Sequence, residues 1–182
     1  MKFISFNHDN SEKFGIIENN LITDLTGKID GASSLKELIK IKKIKEAKEY
    51  AKNNPGSIKT DQIKYSPLIP NPGKIICVGL NYSEHVKETN RTVEENPVIF
   101  HRFPESQTAH MQAIQRPTVS ESLDFEGEMA VIMGEGGKHI KPEDALKHIV
   151  GFSCYNESTI REWQRHTTVS YTHLTLPTTR HV

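Results

Sequence analysis

Acids recur at every second position in Leu123-Asp124-Phe125-Glu126-Gly127-Glu128-Met129-Ala130-Val131, inside an otherwise apolar run. Side chains alternate across a strand, so an extended chain here lines up three carboxylates on one face, successive ones about 6–7 Å apart. Phe125, Met129 and Val131 then point to the other face, toward a core. Three like charges in a row repel one another unless water screens them or a cation sits among them. Oxygen-only ligands favour a hard divalent ion, Mg²⁺, Mn²⁺ or Ca²⁺, over zinc. On spacing alone, a half-exposed edge strand whose solvated acids protect the sheet edge competes with the metal reading.

Two further constellations bear on that choice. Glu157 stands where the apolar run 149–155 gives way to an expected helix over 158–166, with Asn156 or Ser158 available as its cap. That helix sets Arg161 and Gln164 on the same face as Glu157, and Arg161 can fork onto a substrate carboxylate. An ordinary Glu157–Arg161 helix pair is the plainer alternative. The third constellation lies in Gly79-Leu80-Asn81-Tyr82-Ser83-Glu84-His85-Val86-Lys87-Glu88, a strand end running into a polar helix expected to begin near Tyr82. His85 and Glu88 share a face there, and a glutamate holding an imidazole makes a workable general base near pH 7.

The rest of the chain frames these residues. Its 182 residues suffice for one ordinary domain or two small ones. Twenty-three basic side chains balance 23 acidic ones, which removes bulk electrostatics as a reason to expect nucleic acid or a membrane surface as partner. No apolar run approaches the ~18 residues of a membrane span. Cys77 and Cys154 lie in apolar stretches without CxxC spacing and read as buried, reduced thiols of a cytoplasmic protein.

Residues 2–6, 14–17 and 21–25 read as a small meander of strands. Residues 34–51 carry helical spacing, a Ser34/Glu37 capping box and a stop at Asn53-Asn54-Pro55-Gly56. The lysines of that stretch share a face with Glu37, Glu46 and Glu49 and read as a solvated face. Beyond the stiff Pro67–Gly73 linker, strands are expected at 74–80 (buried), 97–102, 124–133 and 149–155, with a short helix over 142–148. Residues 169–182 are Thr-rich and aperiodic. They read as a natural tail or a foreign, frame-shifted ending, and carry no functional argument.

Taken together, the three motifs resemble the fumarylacetoacetate hydrolase family, similar to its hydratase-like members, over roughly residues 67–166. The resemblance implies an α+β, β-rich fold: a mixed β-roll preceded by a small N-terminal α+β domain. Residues 1–66 would form that small domain and 67–167 the first part of an incomplete catalytic domain, with 168–182 an atypical tail. It also implies Mg²⁺ or Mn²⁺, with Ca²⁺ as a further choice, held by Glu126, Glu128 and Glu157. The third ligand is usually aspartate in the family, so Glu157 is a departure.

His85 and Glu88 match the family's water-activating dyad, and Arg161 and Gln164 match positions that contact the oxo-acid end of the substrate. The implied activity is metal-dependent hydrolysis, decarboxylation or hydration of 2-oxo or 1,3-diketo acids through an enolate, by a homodimer in the full-length parent. Members of the family continue past the point where the pattern stops here and supply an active-site lysine. A truncated, inactive fragment or a non-catalytic interaction module is therefore the alternative expectation.

Overall fold

The computed structural model describes residues 1–82 and 96–164. The helix expected from near Tyr82 and the tail at 168–182 lie outside the described residues. The chain forms two compact units. One comprises Met1–Asn71, Thr108–Ala113 and Glu126–Glu157; the other comprises Pro72–Gln107, Ile114–Phe125 and the residues from Ser158 onward.

In the first unit, β1 (Lys2–His8), β2 (Ser11–Glu18) and β3 (Leu21–Asp24) form the expected meander. The connections Asp9-Asn10 and Asn19-Asn20 each place two residues at φ between 51° and 62°. Two-residue turns of this hand match the twist of the strands, and Asn and Asp tolerate the left-handed backbone better than other side chains. Two short strands, β4 (Ile58–Lys59) and β5 (Lys64–Tyr65), complete an antiparallel sheet in the order β4-β3-β2-β1-β5. Neither is long enough to leave a periodic signal.

The helical stretch is two helices, α1 (Leu35–Lys40) and α2 (Ile44–Asn53), where one was expected. Ser34 caps α1 as expected, its Oγ accepting the Glu37 N–H at 3.3 Å. The Glu37 carboxylate reaches back to Ser33 instead of Ser34, accepting that N–H at 2.9 Å and the Ser33 hydroxyl. The hydroxyl and then the N–H of Ser33 hold the Glu37 carboxyl below its usual range. Lys42 turns left-handed at φ 60°, and the N–H groups of Lys42 and Lys43 close back on the carbonyls of Ile39 and Leu38. That terminal pattern ends a helix regardless of its apolar spacing. The break lets Leu35 and Leu38 on one helix and Ala47 and Ala51 on the other bury against Phe14, Ile16, Leu25, Ile29 and Ala32.

The same unit holds β9 (Gly127–Met133) and β10 (Ile149–Asn156), an antiparallel pair separated by a 3-10 helix at Pro142–His148. The N–H groups of Gly134 and Glu135 both reach the His148 carbonyl, closing the far end of the pair. A Cβ at Gly134 would lie 2.8 Å from the Val150 Cβ, so only glycine fits where the ladder slips its register between Ile149 and Gly151.

The second unit holds β6 (Ile75–Gly79) paired antiparallel with β7 (Val98–Arg102), and β8 (Leu123–Asp124) paired with β11 (Thr159–Ile160). The short helix α3 (Arg161–Gln164) follows β11.

Four expectations are corrected. The strand expected over 124–133 is two strands, interrupted at Phe125 and Glu126, because Asp124 pairs with β11 while Gly127 begins a ladder with β10. Phe125, Met129 and Val131 do not face a core: Phe125 is 73% exposed, and Met129 and Val131 lie open on the face of β9 together with Phe152 of β10. Strand β6 is not buried, since Ile76 and Val78 are exposed and its residues alternate in accessibility. Cys77 is half-buried and Cys154 exposed, and neither is in a disulfide. These apolar runs belong to two-stranded ladders, and period-two alternation does not say what, if anything, lies over the apolar face.

Two measurements check the core. Leu38 is fully buried, so Leu38→Ala should cost about 2–5 kcal/mol in chemical denaturation. Asp24 accepts the Lys13 ammonium at 2.8 Å and the Thr26 N–H at 2.8 Å. Burial works to raise its carboxyl, but the bonds from Lys13 and Thr26 outweigh burial and hold it below the usual range. A lowered folded-state value means this stabilisation is complete above the ordinary carboxylate value and lost as pH falls through the folded one. Asp24→Asn should therefore lower Tm at neutral pH and flatten its decline below about pH 4, read by thermal melts across that range.

Candidate metal centre

Glu126, Glu128 and Glu157 each present a carboxylate oxygen to the same point, the three oxygens lying within 4.8 Å of one another. The strand register explains the convergence. The β9–β10 ladder pairs Glu128 with Tyr155 and Gly127 with Asn156. Continued by one residue, it sets Glu157 opposite Glu126, and the Glu157 N–H donates to the Glu126 carbonyl at 2.8 Å. Residues directly opposite in an antiparallel pair share a face, as do residues two apart on one strand. All three carboxylates therefore project from one side of the ladder's end.

Glu126 and Glu128 are half-buried, whereas Glu157 is 8% exposed. Like charges opposite one another destabilise a strand pair, and burial strengthens their repulsion. The donor set is all carboxylate, with no imidazole or thiolate, which fits a hard divalent ion of the Mg²⁺, Mn²⁺ or Ca²⁺ type. Glutamate at position 157, where aspartate was the expected residue type, still brings its oxygen into the cluster.

Asp124, the first acid of the alternating run, does not join the other two. It accepts the Arg161 Nε–H at 2.6 Å across the β8–β11 pair. Arg161 was expected one turn after Glu157 on a single helix. That helix instead begins at Arg161, after the two-residue strand β11, so the geometry for a Glu157–Arg161 helix pair does not arise. Arg161 also donates from Nη1 to the Gln164 Oε1 at 3.4 Å, which brings the two expected substrate-binding residues together. His85 and Glu88 lie outside the described residues.

Several contacts carry no periodic signal. Asn156 does not cap a helix; its Oδ1 accepts the Glu126 N–H at 3.0 Å. The buried Arg102 donates from Nη2 to the Ser158 carbonyl at 3.0 Å, holding the chain one residue beyond Glu157. The Glu162 carboxylate accepts the hydroxyls of Ser120 and Ser122, about 40 residues earlier in the chain. Each joins residues too far apart in sequence for spacing to reveal.

Residues 74–177, more than half of the chain, match the family described as Fumarylacetoacetate (FAA) hydrolase C-terminal. The chain belongs to the fumarylacetoacetate hydrolase family. The matched span extends past residue 167, where the sequence reading ended the family pattern.

Oxaloacetate tautomerase Fahd2a, mitochondrial, from Rattus norvegicus is 39% identical over 107 residues, which is 59% of this chain and 34% of that protein. The chain thus spans about a third of the length of that curated relative. The fumarylacetoacetate hydrolase EaFAH from psychrophilic Exiguobacterium antarcticum superposes with a TM-score of 0.74 at 30% identity, covering 90% of this chain and 58% of that one. Maleylpyruvate hydrolase from Sphingobium sp. SYK-6, in complex with manganese (II) ion and pyruvate, shares the fold with a TM-score of 0.71 at 21% identity, covering 88% of this chain and 60% of that one. The α+β, sheet-rich architecture is that of the fumarylacetoacetate hydrolase fold. Members of the family among these relatives are enzymes and include a tautomerase as well as hydrolases.

The Asp124–Arg161 pair is partly solvent-exposed on both sides, so screening limits its worth. Asp124→Asn should change global stability by about 1 kcal/mol or less in denaturant titration.

Proposed function

We propose that the chain carries the ion-binding part of an enzyme that performs enolate chemistry on a short 2-oxo or 1,3-diketo acid. The observation that carries this reading is the meeting of the Glu126, Glu128 and Glu157 carboxylates within 4.8 Å. Two named proteins support the substrate class: the rat relative is an oxaloacetate tautomerase, and the maleylpyruvate hydrolase structure contains manganese and pyruvate.

Glu126, Glu128 and Glu157 would hold Mg²⁺ or Mn²⁺, with Ca²⁺ as a further choice. A divalent ion bound there supplies Lewis-acid polarisation of the 2-oxo carbonyl and compensates the negative charge that develops on its oxygen. Arg161 binds the substrate carboxylate as a fork, and Gln164, already hydrogen-bonded to it, helps to orient that fork. The assignment of Arg161 and Gln164 rests on their match to the family motif.

His85, supported by Glu88, moves the proton, and its role rests on sequence alone. In tautomerisation His85 takes a proton from C3 of the 2-oxo acid and gives it back at the carbonyl oxygen, so the keto form becomes the enol and the imidazole is neutral again. In hydrolysis of a diketo acid His85 takes a proton from water, and the hydroxide adds to the distal carbonyl. The C3–C4 bond then breaks, its electron pair leaving with the 2-oxo fragment, which is reprotonated. Both routes share the enolate, so the residues that stabilise it serve either outcome. The homodimer and the cytoplasmic location belong to the same proposal and rest on the resemblance and the reduced-thiol reading.

A thermal melt with and without Mn²⁺ tests the site. An ion at about 100 times its dissociation constant adds ~2.7 kcal/mol, a shift of several degrees. The shift should appear in the unmutated chain and vanish in Glu126→Gln. Turnover is then followed with oxaloacetate by loss of enol absorbance and by pyruvate release, and with an acylpyruvate by cleavage. An Mn²⁺ shift that persists in Glu126→Gln removes the carboxylate centre. An intact centre with no turnover of either substrate supports the non-catalytic alternative.

A further inference from the structure

We propose that Asn156 is a positioning residue for the carboxylate centre, its side-chain carbonyl fixing Glu126 in place opposite Glu157. This inference rests on the ion-binding reading of the three carboxylates.

The three glutamates are not held in the same way. Glu128 lies inside β9 and is set by the ladder, opposite Tyr155. Glu157 is buried and is fixed through its own N–H, which donates to the Glu126 carbonyl at 2.8 Å. Glu126 lies one residue before β9 begins, at the break between β8 and β9. There the ladder supplies a partner for the Glu126 carbonyl but not for its N–H, and the N–H of this half-buried residue needs another acceptor. It finds the Asn156 Oδ1 at 3.0 Å.

Both backbone groups of Glu126 are therefore bonded to two consecutive residues, Asn156 and Glu157. One of those bonds is made by a side chain. Asn156 is the last residue of β10 and stands opposite Gly127, so its side chain extends the hydrogen-bonded ladder by one rung beyond the strand. Without that rung the first residue of the pair could peel away, and Glu126 would lose its place opposite Glu157.

The residue type matters as well. The position needs an acceptor of about this length. A carboxylate would meet that need but would add a fourth negative charge beside three others, whereas the amide supplies the acceptor without charge. Groups of this kind, one bond removed from the ligands, set ligand orientation and tune affinity.

The test uses the full chain, with Mn²⁺ as the probe and three readouts: Mn²⁺ affinity by calorimetry, hydrogen exchange at the Glu126 amide, and Tm in EDTA. Asn156→Ala removes the acceptor and should weaken Mn²⁺ binding about 10–100-fold, with faster exchange at Glu126. Asn156→Asp keeps the acceptor and should bind Mn²⁺ within about threefold of the unmutated chain or more tightly, with the Glu126 amide still protected. Because the added charge of Asn156→Asp itself attracts Mn²⁺, the decisive sign of rescue is retained affinity together with a still-protected Glu126 amide, which neither charge alone nor a loss of general stability would give.

Unchanged Mn²⁺ affinity in Asn156→Ala overturns the inference, and so does a loss in Asn156→Asp equal to that in Asn156→Ala. Should Asn156→Ala fail to melt cooperatively, the aspartate variant decides alone, and a loss of Mn²⁺ affinity there overturns the inference. Absence of Mn²⁺ binding by the unmutated chain overturns the ion reading and this inference together. Normal binding by the unmutated chain with an indifferent Asn156 overturns this inference alone.

Discussion

Three carboxylates held within 4.8 Å of one another repel, and the local structure around them is organised to keep them together nonetheless. The antiparallel register of β9 and β10 sets Glu157 opposite Glu126 and diagonal to Glu128, and the pairing continues past the end of the ladder through two bonds to Glu126. The far end of the same pair is pinned by the His148 carbonyl and by the absence of a side chain at Gly134. A slip of one residue would carry Glu126 and Glu128 to the opposite face, because side chains alternate at every step. The register is thus the constraint on which the carboxylate cluster depends. The divalent ion proposed for this cluster would offset the repulsion that the register creates.

The buried apolar cluster and the carboxylate cluster lie in different stretches of the chain. The buried apolar cluster is drawn from residues 14–51, where the meander and two short helices share Phe14, Leu25, Leu38 and their neighbours. The strands that carry the glutamates bury little of their apolar side, and Met129, Val131 and Phe152 lie exposed. Hydrogen bonding and register, more than apolar burial, therefore position the centre. Ordered backbone bonds can hold a polar site in a defined geometry, whereas apolar packing alone is tolerant of small displacements.

The acids were legible before the fold because their spacing is a two-residue period, and that period survives any uncertainty about the ends of the strand. The period places Glu126 and Glu128 on one face but includes Asp124 as well, and only the family motif singled out the two glutamates. Glu157 was legible as a junction residue and through the family motif. Its meeting with the other two depends on a strand pairing that joins Gly127 to Asn156, far along the chain, which no local pattern encodes. The break at Phe125 and Glu126 was hidden because the alternation runs straight through it, and only the separate partners of Asp124 and Gly127 reveal it. The break between α1 and α2 was hidden for the same kind of reason: the apolar spacing continues while Lys42 turns left-handed.

The sequence by itself determined the meander with its Asn-rich turns, the Ser34 cap, the alternating acids and the family to which the chain belongs. Each of these is a local pattern, fixed by backbone preferences and by which side chains fall on one face. Tertiary structure alone decided that Asp124 pairs with Arg161 while Glu126 turns to Glu157, and that Asn156 serves the backbone of Glu126 and not a helix end. It also left the apolar side of β9 and β10 exposed where alternation implied a core. The physical reason is that pairing partners, and whatever covers a sheet face, are set by segments far apart in the chain. Period and spacing report only on neighbours.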